Sequence, residues 1–107
     1  MPHQKTIAID FDGVIHEYSL GWGNGSIYDQ PMPGTFAALQ ALKEKGYKIV
    51  VFSTRAKEQK DDITTWLKCF DLAQYVDEVT HEKPRAFAYI DDRAIRFTNW
   101  RDMLNYF

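Results

Sequence analysis

Thr6-Ile7-Ala8-Ile9-Asp10-Phe11-Asp12-Gly13 is the stretch that decides the fold. An uninterrupted apolar run leads straight into two carboxylates and a glycine. Without polar alternation, such a run reads as a strand buried on both faces, the habit of a parallel sheet. Residues 14–34 are of another kind. Gly21, Gly23, Gly25 and Gly34 alternate with Tyr18, Trp22 and Tyr28, and Pro31 and Pro33 close the stretch. It reads as a flap, either a loop or a short hairpin.

Beyond the flap the chain becomes periodic. Residues 35–45 read as a helix: Thr35 can cap it, Phe36, Leu39 and Leu42 recur at helical spacing, and Gly46 suits its end. Residues 47–52 are a second apolar strand, leading into Ser53-Thr54-Arg55. In residues 58–70, Ile63, Trp66, Leu67 and Phe70 share one helical face, with Asp61 and Asp62 early, where the helix dipole favours them. Residues 76–80 and 86–90 read as strands, the latter ending in Asp91-Asp92. Residues 95–97 read as a fifth strand and 100–106 as a closing helix. The alternation predicts one α/β domain over 1–107, Rossmann-like and three-layered, with a mostly parallel sheet of about five strands.

Composition narrows the function. Thirteen basic against fifteen acidic residues give a net charge of −2, which argues against a broad basic surface for long nucleic acid. Cys69 is the one cysteine, so no internal disulfide forms and a reducing, cytoplasmic setting fits. No long apolar run comes after Met1-Pro2-His3-Gln4-Lys5, so neither a signal peptide nor a membrane span is expected.

The chemistry gathers at strand ends, where ligands bind in parallel sheets. Asp10 and Asp12 come after the first strand, Ser53 after the second, Asp91 and Asp92 after the fourth. Carboxylates that meet repel one another, and a hard dication with oxygen ligands, Mg²⁺, relieves the repulsion. Phosphate is the substrate that needs such a metal beside a carboxylate nucleophile. Ser53, Lys83 and backbone N–H groups after Asp10 would complete a phosphate cradle.

In these residues the chain resembles the haloacid dehalogenase-like hydrolases over nearly its whole length. Asp10-Phe11-Asp12-Gly13-Val14 is similar to that family's first motif, Ser53 to its second, Lys83-Pro84 to its third and Ile90-Asp91-Asp92 to its acidic fourth. The resemblance implies a strand order of 5-4-1-2-3, an aspartyl-phosphate on Asp10, and general acid and base work by Asp12. It also implies phosphate binding by Ser53, Thr54, Lys83 and Gly13. Mg²⁺ would be held by the Asp10 carboxylate, the backbone carbonyl of Asp12 and Asp91, with Asp92 close by. Ser53-Thr54-Arg55 with Ile90-Asp91-Asp92-Arg93 resembles the phosphatase half of bacteriophage polynucleotide kinases, which makes Arg55 a candidate substrate ligand. The chain departs from that half's context in having no kinase P-loop. Residues 14–34 are too short for a folded cap domain, and capless members act on large substrates or borrow a lid from a neighbouring subunit, so a homo-oligomer is one expectation. The stretch 80–85 is too short for the family's usual helix. At ~3.3 Å per residue it spans roughly 20 Å, enough to return the chain across the sheet with Lys83 in the crossing loop.

Plainer readings stand beside these. Asp-Gly is a turn pair, Ser53 can cap a helix, Lys83 can be solvated, and Arg55 can be exposed or ion-paired. Arg93 reads as structural, and His16 and His81, lacking metal-ligand spacing, read as surface or loop residues. Tyr18, Trp22 and Tyr28 either pack the flap or stack on a base or sugar. Trp66 reads as core and Cys69 as inert. The expected activity is a Mg²⁺-dependent phosphomonoesterase acting on a nucleotide or nucleic-acid end. The alternatives are a sugar-phosphate phosphatase and a non-catalytic phosphate-binding regulatory module.

Overall fold

The computed structural model describes residues 4–107; residues 1–3, part of the N-terminal stretch in which no signal peptide is expected, lie outside the described residues. Four parallel strands, β1 (Thr6–Asp10), β2 (Lys48–Phe52), β3 (Glu78–Thr80) and β4 (Ala88–Ile90), form one sheet in the order β3-β2-β1-β4. Helix α1 (Thr35–Glu44) joins β1 to β2. A 3-10 turn (Lys57–Gln59) and α2 (Lys60–Cys69) join β2 to β3, and α3 (Trp100–Leu104) comes after β4. The chain is thus an α/β protein with a parallel sheet, as its sequence pattern requires. No helix is long and apolar enough to cross a membrane among the described residues.

Register explains the core. Ile7 pairs with Ile49, Ile9 with both Val51 and Ile90, and Val51 with Val79, so these side chains share one face. Leu39 of α1 and Ile63, Trp66 and Leu67 of α2 close over that face in one buried cluster with Phe11, Ile15 and Leu72. Right-handed crossovers running in one direction along a sheet put both helices on the same side. The opposite face, with Ala8, Val50 and Phe52, is covered differently. Segment 81–87 crosses it, fastened by the Tyr89 hydroxyl on the Pro84 carbonyl at 2.6 Å and by Lys83 Nζ, 4.4 Å from the Tyr89 ring centre. Lys83 therefore does sit in a crossing loop.

Two expected elements differ. Residues 95–97 are irregular, so the sheet has four strands among the described residues. Apolar alternation makes a strand only against a neighbour's free edge, and the chain leaves the sheet at Asp91. The closing helix shrinks to five residues, Trp100–Leu104, capped by the Asn99 side chain accepting from Asp102 N.

Asp77 fastens three elements at the start of β3. Its Oδ2 accepts from Lys43 Nζ of α1 at 2.6 Å and from Ile49 N of β2 at 2.8 Å. Partial desolvation pushes this carboxyl up, but the Lys43 and Ile49 bonds outweigh it and hold it below 3.8. A depressed folded value gives stability that is present above the unfolded value and lost as pH falls through the folded one. Asp77→Ala should therefore cost about 1 kcal/mol at pH 7. Urea midpoints of the two proteins should stay apart from pH 7 to 5 and converge below 3.8.

Candidate active site

The C-terminal ends of β1, β2 and β4 open into a cavity of about 270 Å³. Asp10, Asp12, Thr54, Asp91, Asp92 and Arg93 line it with Tyr18, Trp22 and Phe52. Parallel pairing of β1 with β4 sets Ile9 beside Ile90, so the carboxylates at the end of each strand meet. One oxygen from each of Asp10, Asp91 and Asp92 lies within 4.8 Å of the others. Burial raises the Asp10 carboxyl to about 7, with the charges of Asp91 and Asp92 adding to it; a bond from Phe11 N opposes the rise. Oxygen-only donors at this spacing suit a hard cation of the Mg²⁺ type. The Asp12 carboxylate is not one of the three. The family resemblance assigns it only its backbone carbonyl.

Asp12, also on the cavity wall, is held in a clamp. Its Oδ2 accepts from Arg55 Nε at 2.8 Å, and its Oδ1 accepts from Arg55 Nη2 at 3.0 Å and from His16 Nδ1 at 2.8 Å. The His16 tautomer is set by its other nitrogen: Nε2 accepts from Asp29 N at 3.0 Å, so the proton resides on Nδ1. His16 is wholly buried, with Phe11 stacked at 5.3 Å and Trp66 edge-on. It is a site residue that sequence reading missed. Its one sequence signal is the four-residue spacing from Asp12, which the tight turn at Gly13 converts into contact.

Arg55 is likewise buried and ion-paired, so it does not face the cavity as a substrate ligand. Its Nη1 donates to the Gly25 carbonyl at 2.6 Å, and its guanidinium lies 4.7 Å from the Trp22 ring centre. Gly25 is held at φ +84°, and a Cβ there would lie 2.8 Å from Trp22 Cζ2, so flap closure onto Arg55 requires glycine at this position. The flap is otherwise a short hairpin, with Glu17 N bonded to Gln30 O and Met32 N to Ile15 O, and with Asp29 accepting from Ser19. Tyr18 and Trp22 therefore both brace the flap and form cavity wall.

The remaining expected phosphate ligands divide. Thr54 is exposed and lines the cavity, whereas Ser53 is buried and its Oγ accepts from Arg55 N at 3.0 Å. The Gly13 N–H is taken by the His16 carbonyl at 2.8 Å, since the turn closes on itself, so it is not offered to a phosphate. Gly13 serves otherwise: at φ +85° any Cβ would collide with Asp92 Oδ2. Lys83 lies over Tyr89 and 5.9 Å from the centre of the Phe52 ring, which lines the cavity, but is not itself one of the lining residues. Arg93, which reads as structural in the sequence, lines the cavity and is exposed.

No protein-family model and no curated protein matches the chain. A solved structure, that of a conserved protein coded by a locus of Bacteroides thetaiotaomicron, is similar at 23% identity and a TM-score of 0.66, over 94% of this chain and 87% of that one. At that identity the likeness is one of fold.

Arg55→Lys keeps the charge but loses the two-pronged grip on Asp12 and the Gly25 bond. It should destabilise the chain by about 3 kcal/mol, the low end of the cost of breaking a buried ion pair, as read from urea unfolding. A second expectation concerns Asp10. A carboxyl raised to about 7 gives stability that is fully present below 3.8 and lost as pH rises through 7. The metal-free protein should thus melt at falling temperature from pH 5 to pH 8. Asp10→Asn should flatten that slope, and Mg²⁺ should restore the melting temperature more at pH 8 than at pH 5.

Proposed function

We propose that this chain is a Mg²⁺-dependent phosphomonoesterase of the haloacid dehalogenase-like type. The observation that carries the reading is the meeting of Asp10, Asp91 and Asp92 at parallel strand ends, in one cavity with Asp12. Asp10, Asp91 and Asp92 would hold the cation, which when bound screens the carboxylates from an incoming phosphate and polarises it.

An Asp10 oxygen attacks phosphorus, the bond from phosphorus to the ester oxygen breaks, and the departing alcohol takes a proton from Asp12. Water then attacks the phosphorus of the aspartyl-phosphate, gives its proton to Asp12, and frees inorganic phosphate and the Asp10 carboxylate. Arg55 and His16 aim Asp12 for both steps. All three bonds to Asp12 are donated to it, which suits the base of the second step. Giving a proton in the first step requires Asp12 to release one of them. Thr54 and Arg93 are the cavity groups able to bind phosphate oxygens.

Tyr18 and Trp22 in the cavity wall favour a nucleotide or a phosphorylated nucleic-acid end over a sugar phosphate, because a base offers a face to stack. Release of phosphate from an aryl phosphate tests the chemistry. Activity should require Mg²⁺, stop with EDTA, and vanish in Asp10→Asn, while Asp12→Asn should lower kcat by about 10²–10⁴-fold. Turnover that persists in Asp10→Asn would overturn the nucleophile assignment.

A further inference from the structure

Beyond the strand β4 the chain carries Ile95, Phe97, Trp100, Leu104, Tyr106 and Phe107, all large, apolar and exposed; Trp100 is 74% and Phe107 96% accessible. Among the described residues, every hydrogen bond made from Arg93 onward stays within 91–107. Phe97 and Trp100 pack edge-on against each other at 5.3 Å. The radius of gyration, 14.8 Å, exceeds the ~13 Å usual for a chain of this length. An arm therefore extends from the body, and so exposed an apolar segment marks an interaction surface.

The body has a complementary gap. On the helix-covered face, α1 and α2 come after β1 and β2, but β4 has no helix of its own over it, and Ile90 stays 43% exposed. An apolar groove of about 230 Å³ runs between β4, the flap base and α1, lined by Val14, Met32, Ala38, Leu39, Leu42 and Ile90 among others. Charge agrees with this fit. From Ile95 on, the arm holds Arg96 and Arg101 against Asp102, while the rest of the chain holds eleven basic and fourteen acidic residues.

We infer that residues 95–107 form an exchange arm that seats in the β4–α1 groove of a second copy of this chain, giving a two-fold dimer. The area suffices. The arm's four aromatics carry ~150–250 Å² each. Two arms and the surfaces under them, even when half seated, bury on the order of 1,200 Å², the lower bound of a stable interface. Each arm leaves its own body at Asp91 and Asp92, so the exchange also tethers the strand end that carries two of the three clustered carboxylates. Arm exchange of this kind is independent of the phosphatase chemistry.

Light scattering on the unaltered protein across a wide concentration range tests it. Twice the monomer mass is the expected result, and a monomer throughout would overturn the proposal. Phe97→Ser/Trp100→Ser in the arm and Ala38→Glu at an exposed groove position should each weaken association by at least about 10³-fold, since each aromatic is buried twice. Circular dichroism and melting temperature confirm that each variant is folded. A dimer that survives either variant would show that the interface lies elsewhere and overturn the arm assignment.

Discussion

Parallel pairing of β4 with β1 is the constraint on which the rest of the site depends. It sets Ile9 beside Ile90, and the next residues along each strand are then carboxylates with nowhere to go but toward one another. Burying Asp10 with Asp91 and Asp92 beside it opposes folding, and the lift of Asp10 to about 7 expresses that opposition, burial first and the neighbouring charges second. The apolar ladder of Ile7, Ile9, Ile49 and Val51, closed over by α1 and α2, supplies the compensating burial. Gly13 completes the arrangement, because any side chain there would displace Asp92.

Asp12, two residues from Asp10, lives in a different electrostatic world. Arg55 grips it with two nitrogens and His16 adds a third bond. Because Arg55 also bonds Gly25 and His16 also bonds Asp29, the orientation of one carboxylate is tied to the shape of the whole flap. Trp66 adds a tie from α2, its indole N–H donating to the Asp29 carbonyl at 2.9 Å. The flap is thus an outgrowth of the site and not a loop resting on it. The cation that sequence places beside the substrate is consumed inside the protein, and Arg93 is left to face the cavity.

The two sheet faces are finished unequally. Short crossovers place α1 and α2 over one face, and the return from β3 to β4 leaves only segment 81–87 for the other. The β4 edge is where covering runs out, and the arm beyond it is where apolar side chains are in excess. A small domain with a thin core has little tolerance for both at once.

Much of this architecture is legible in order along the chain. Hydrophobic runs of strand length, helical spacing of Ile63, Trp66 and Leu67, and carboxylates placed just past apolar runs depend on local periodicity, which the amino-acid sequence carries directly. The parallel α/β fold and the meeting of Asp10 with Asp91 and Asp92 come from that periodicity and from strand order. The partners of Arg55 and His16 do not. Arg55 lies forty-three residues from Asp12 and thirty from Gly25, so its burial exists only once the flap has closed over β2. His16 reads as a loop residue because nothing nearby in sequence shows that Phe11 and Trp66 will enclose it. The absent fifth strand has the same cause: a strand needs a neighbour's edge as well as a pattern. Residue types and their spacing determined which groups reach the ends of the strands. The tertiary structure alone decided which of them face the cavity and which are bound up in holding it, because long-range hydrogen bonds and burial are properties of the closed chain.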